Sequence, residues 1–203
     1  MKKTFISAIS LQSPRGLNEV YYNPIDFELK HNKKTRFPII PVIREYIGNI
    51  PEDTYVIAIR PMDADTEENY QTFKRELKNA GVPEENIIPL EMGGDNSKKS
   101  SIKLLLQLLD AIPDDCIVYS DITYNTKPMS AMVLYAMRFI EKMKNVEVEG
   151  IYYGEIHRTN GVPDPDQAFL YDVTVFKQLG DVLDVMEQLG IKDLRAAIER
   201  LLK

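Results

Sequence analysis

Lys127 stands at the end of a polar turn, directly after Thr123, Tyr124, Asn125 and Thr126 and just before Pro128. These residue types in this order suit anion binding. Thr126 or Asn125 is a good helix N-cap, and Pro128 has the backbone angle that a first helical turn needs. A new helix leaves its first N–H groups without partners, and its dipole is positive at that end. Lys127 adds a full positive charge beside those donors, so a phosphate belongs here. A second polar turn, Met92 to Lys99, carries Gly93, Gly94, Asp95, Asn96 and Ser97. The glycines let backbone come close to a ligand, and Asp95, Asn96 or Ser97 can cap a helix. Its spacing is not that of a Walker P-loop. A third, Gln12 to Asn23, offers Gln12, Ser13, Arg15 and Gly16 for a phosphate and Tyr21 and Tyr22 for stacking on a base. Each of these turns reads equally as an ordinary capped connection or surface loop.

The elements around the turns explain why they would meet. Thr4 to Leu11, Tyr55 to Arg60, Asn86 to Glu91, Cys116 to Tyr119, Val146 to Glu155 and Gln167 to Thr174 are short apolar or β-branched runs of strand type. Helical periodicity lies between them. A helix is expected to start near Pro41. Tyr70, Phe73, Leu77 and Ala80 share a face that Gly81 closes. Ile102, Leu105, Leu106 and Leu109 form the next stripe, and Met129, Met132, Val133, Ala136, Met137 and Ile140 another. Phe27 to His31 reads as a short extra extended piece, and Arg158 to Pro165 as a tip, a hairpin-like excursion. Two C-terminal stripes follow: Phe176, Leu179, Leu183 and Met186, then Ile191, Leu194, Ile198 and Leu201. Strand and helix alternate until a final strand pair. The fold class is therefore α/β: a Rossmann-like three-layer sandwich with about six mainly parallel strands, an antiparallel edge and C-terminal helices. In such sheets ligands bind off the carboxyl ends of the strands. The loops near Gln12, Arg60, Met92 and Ser120 open there, so Arg15, Arg60, Lys98 and Lys127 are expected to converge on that rim.

Composition narrows the function classes. At 203 residues the chain suits one domain with its own core. No apolar run reaches the ~18 residues of a membrane span. A net charge of −6 argues against coating long nucleic acid, so any polyanion must be small and held locally. The single cysteine, Cys116, lies inside a strand, which suits a buried hydrophobe and a reducing cytoplasm. His31 and His157 are far apart in sequence and no His-Cys cluster exists, so neither a metal site nor a cofactor is expected.

The run Asp121-Ile-Thr-Tyr-Asn-Thr-Lys-Pro-Met-Ser, between a strand and an apolar helix, resembles the second signature of CARF domains, the sensor domains of CRISPR-associated type III effectors. Ile151-Tyr-Tyr-Gly-Glu resembles the Tyr-Gly strand of some members, and Tyr171-Asp-Val-Thr their closing strand. The resemblance covers nearly the whole chain. Two departures stand out: Tyr124-Asn125 replaces the glycine or histidine pair of many members, and no ribonuclease or deoxyribonuclease motif follows. The resemblance implies a cyclic tetra- or hexa-adenylate ligand bound at a homodimer interface in antiviral defence. Gln12, Ser13, Arg15, Gly93, Gly94, Thr123, Tyr124, Asn125, Thr126 and Lys127 would be the ligand-binding residues. Some members cleave their own ligand through its 2′-hydroxyl without metal. Lys127 and Thr126, with Asn125 and Ser13 beside them, would then be the catalytic set. A stand-alone α/β enzyme acting on a mononucleotide or sugar phosphate is the competing reading. Residues 1–175 form the sensor domain in this reading, and 176–203 a helical extension that packs on it or leads toward an effector domain.

Overall fold

The computed structural model describes residues 1–62, 64–93, 95–124 and 126–190, with 192, 193 and 195. Among these residues, seven strands form one sheet in the spatial order β2-β7-β6-β5-β1-β3-β4. They are β1 (Lys2–Ala8), β2 (Asn23–Ile25), β3 (Thr54–Pro61), β4 (Ile87–Met92), β5 (Cys116–Asp121), β6 (Val146–Thr159) and β7 (Val162–Asp172). All neighbours pair parallel except β6 and β7. The helices are α1 (Ile39–Tyr46), α2 (Ala64–Asn79), α3 (Lys98–Ala111), α4 (Lys127–Met143) and α5 (Val175–Gln188). This is the Rossmann-like α/β sandwich, with one strand more than the six expected.

Strand alternation builds the two covering layers. Phe5, Val56, Ala58 and Tyr119 face a core closed by Ile40 and Ile43 of α1 and Phe73 and Leu77 of α2. Their neighbours Ile6, Ile57, Ile59 and Val118 face the other core, closed by Leu104 and Leu108 of α3 and Val133, Met137 and Ile140 of α4. A strand buried on both sides must be apolar at nearly every position, which is why these segments read as continuous apolar runs.

Several boundaries differ from expectation for physical reasons. The extra strand is Asn23–Ile25 rather than 27–31; it pairs with Phe169 to Tyr171 at the sheet edge. The tip is a hairpin, as expected, but its strands run further than expected: β6 and β7 continue to Thr159 and Val162. Asn160 and Gly161, both at positive φ (54° and 80°), make the two-residue turn. α1 starts at Ile39, ahead of Pro41. On α3 the buried residues are Leu104 and Leu108, whereas Ile102 and Leu106 of the expected stripe are exposed. α5 likewise leaves Phe176 and Leu183 in solvent. It docks through polar groups: Arg138 of α4 donates to the Gly180 carbonyl (3.2 Å) and to Asp184 (2.9 Å), and Lys177 pairs with Glu141 (3.1 Å). The last apolar stripe, Ile191 to Leu201, lies outside the described residues. Among the described residues no helix is long and apolar enough to cross a membrane, and no group of His, Cys, Asp and Glu is suited to hold a metal.

Candidate functional site

The chain runs outward from β1 to β3 and β4, then returns past β1 to β5 and continues the other way. The connections leaving β1 and β5 therefore diverge, which is where open α/β sheets place a ligand crevice. A cleft of about 270 Å³ sits there. Gln12 and Asn18 from the segment after β1, Thr123 and Tyr124 from the turn after β5, and Gly154 and Arg158 of β6 line it. A shallower hollow adjoins it, sharing Gln12, Thr123 and Tyr124 and adding Thr126.

Each wall is pinned from behind. Asn69 of α2, buried, donates through its amide to the carbonyls of Ser10 (2.9 Å) and Gln12 (2.8 Å), fixing the exit from β1. Asp121 ends β5 fully buried and holds the next turn, accepting from the Thr123 amide at 2.9 Å and from the Thr123 hydroxyl. The same hydroxyl accepts from the Gly154 amide at 2.7 Å, which joins the β5 turn to β6. The Tyr124 hydroxyl donates to the Arg36 carbonyl at 2.7 Å, and burial keeps its acidity well below that of a free phenol. Tyr22 lies beside it, 1% exposed, and is shifted in the same direction, first by burial and then by its contact with Tyr124. Tyr22 is therefore packed in the core and not free to stack on a base. Tyr21 is half-exposed, with the Lys34 ammonium 5.5 Å from its ring centre.

The two rim turns touch. The Thr126 hydroxyl donates to Asn96 Oδ1 at 2.8 Å, linking the start of α4 to the turn before α3. Thr126 occupies the N-cap of α4 but makes no side-chain cap there. α3 differs, since the Ser97 hydroxyl accepts from the Ser100 amide at 3.2 Å. Thr126 thus does not cap the α4 terminus, where exposed Lys127 takes the first position and Pro128, which has no N–H, the second.

The structure brings Gln12, Thr123, Tyr124 and Thr126 together. Ser13 and Arg15 lie next to Gln12 in an exposed 3₁₀ turn. Gly93 is exposed, and a Cβ there would meet open space, so nothing in the protein requires a glycine. Gly94 and Asn125 lie outside the described residues. Lys127 lines neither hollow. Arg60 does not join the rim cations: it pairs with Glu67, lies 3.9 Å from Glu91, and stands 5.2 Å over the Tyr70 ring. Gly154, Arg158 and Asn69 were not anticipated. The Asn-Gly pair at 160–161 is the signal that extends β6 past Gly154 to the cleft.

No protein-family model and no curated protein matches this chain. The wall of the cleft is mixed in charge: Glu155 also lines it, 3.4 Å from His157, and Arg158 offsets that charge. Gln12, Asn18 and Thr123 add amide and hydroxyl groups, and Ile156 and Pro163 add apolar surface. Such a surface can offer directed hydrogen bonds to a phosphate-bearing ligand, and the adjoining hollow reaches Thr126 at the start of α4.

Proposed function

We propose that this chain is a CARF-type sensor module that binds a cyclic oligoadenylate, two copies sharing one ring. The observation that carries the reading is the cleft at the β1/β5 divergence, with an adjoining hollow that reaches Thr126, the N-cap residue of α4 next to Lys127 in sequence. At about 270 Å³ the cleft is at the small end of ligand pockets, which run from ~300 to 1,000 Å³. It has room for about one nucleotide. A cyclic ligand of four or six adenylates needs the same cleft presented again across a two-fold axis. An exposed apolar strip on α4, Tyr135, Phe139 and Met143, offers a surface for that second copy. Ring cleavage, where it occurs, would use Lys127 to stabilise the crowded phosphate, with Thr126 beside it and no metal.

Calorimetry with cyclic tetra-adenylate, cyclic hexa-adenylate and AMP tests the reading. Tight binding of one ring at one ring per two chains supports it. Binding of AMP alone, for which the cleft's volume is sufficient, points instead to an enzyme or binding protein for mononucleotides. Incubation of the ring with protein in EDTA, followed by chromatography, decides whether the ligand is cut.

A further inference from the structure

Asp121 is a buried acid directly behind the cleft. In register it lies between Ser7 of β1 and Tyr152 of β6. Its carboxylate accepts from Ser7 Oγ at 2.8 Å, from the Thr123 amide at 2.9 Å and from the Thr123 hydroxyl. With its proton committed to Asp121, the Thr123 oxygen accepts from the Gly154 amide. Thr123 and Gly154 both line the cleft. The hydroxyl is therefore a bridge with a fixed direction: proton inward to β5, lone pair to β6.

The groups facing Asp121 do not neutralise it. Tyr22 and Tyr124 each feel its charge, and both also feel Glu76 of α2. Arg36 is engaged elsewhere, by Glu19 (3.2 Å) and Glu76 (3.3 Å). No ion pair to Asp121 exists among the described residues. On the cleft wall the charged groups are Glu155 and Arg158, with His157 against Glu155.

We propose that Asp121 is a positioning residue whose protonation is coupled to anion occupancy of the cleft. Ionised, it holds the Thr123 hydroxyl proton inward. Neutral, after taking one proton from solvent, its own O–H donates to the Thr123 oxygen, and the Thr123 proton turns outward to the anion. Burial, partly offset by the Thr123 and Ser7 hydrogen bonds, already raises the carboxyl to about 6. A polyanion next to it raises it further, so binding draws a proton from near-neutral solution. The identity of the anion rests on the sensor reading; the coupling does not.

Two measurements test this. Affinity for cyclic tetra-adenylate is followed from pH 5.5 to 8.5 in a His157→Gln background, which removes the imidazole beside Glu155. Each unit by which the ligand raises the Asp121 carboxyl makes binding about tenfold tighter at the acid end. Asp121→Asn abolishes that slope. A slope that is absent in the parent, or that survives in the Asn variant, overturns the proposal while leaving the sensor reading intact. Absence of ring binding at every pH removes the sensor reading, and the second measurement then decides. In the ligand-free protein, the Asp121 carboxyl ¹³C signal and the Gly154 amide signal must titrate together. A Gly154 amide that does not follow the carboxyl refutes the bridge.

Discussion

Replacing Asp121 with Asn should stabilise the protein at neutral pH, against the usual expectation for a buried, hydrogen-bonded side chain. The carboxyl is fully buried and its donors are neutral: Ser7 Oγ, the Thr123 amide and the Thr123 hydroxyl. Burial moves it from an ordinary 3.8 to about 6. At 1.36 kcal/mol per unit, ionising it in the folded state costs about 3 kcal/mol more than in the unfolded chain. The sign follows from proton counting. Between pH 4 and 6 the folded state binds more protons than the unfolded state. This group's contribution is thus fully present below its unfolded pKa, is lost as pH rises through 6, and is level above that. Asn keeps the geometry. Its Oδ1 still accepts from Thr123, and its amide donates to Ser7 Oγ, whose proton can turn to the Ala8 carbonyl at 3.4 Å. Urea unfolding of both proteins at pH 4.5, 6.0 and 7.5 measures the difference. The variant should gain up to about 3 kcal/mol at pH 7.5 and much less at pH 4.5. A variant destabilised at pH 7.5, or a difference that does not change with pH, refutes the account of Asp121 as an uncompensated buried charge.

Other outcomes test other parts of the structure. Lys127→Ala should weaken cyclic-oligoadenylate binding at least tenfold, roughly the 1.5–3 kcal/mol of a charge-assisted contact, without moving the melting temperature, since the side chain is exposed. Gly154→Ala should destabilise by about 1–3 kcal/mol in urea melts, because its Cβ would sit 2.4 Å from Pro38 Cγ and 3.2 Å from Tyr22 Cε1. Leu108→Ala should cost about 2–5 kcal/mol by the same assay, as the side chain is wholly enclosed between α3 and the sheet. Arg138→Ala should speed amide exchange across Val175–Gln188 while leaving the sheet protected, because that side chain ties α5 to α4 at Gly180 and Asp184.

The sheet was legible because central parallel strands such as Tyr55 to Arg60 must be apolar on both faces, and α4 because its core residues recur every three or four positions. Elements that break those rules were harder to read. β2 is three residues long, too short for any period to register. The 158–165 stretch read as a hairpin-like excursion, but Pro163 and Pro165 hid how far its strands run: they lie in the outer part of β7, beyond its pairing with β2 at 169–171. On α3 and α5 the apolar residues outnumber those a single buried face requires, so periodicity picked stripes that are only partly buried: Leu105, Leu109 and Met186 face inward, while Ile102, Leu106, Phe176 and Leu183 are exposed. α5 is held by Arg138, Lys177 and Asp184, whose partners lie dozens of positions away in sequence. The site was legible at Thr123, Tyr124, Thr126 and Gln12 because polar residues crowd strand-to-helix turns. It was not legible at Asn69 or Gly154, which act on those turns from other elements.

The place of β1 has a consequence for how the molecule is assembled. It is the first strand synthesised, yet it needs β3 on one side and β5 on the other. Until residues 116–121 are made, one edge of the oldest strand stays open, and half the cleft has no opposite wall. The cleft therefore exists only once both sides of the sheet have been made, because neither the early nor the late half can form it by itself.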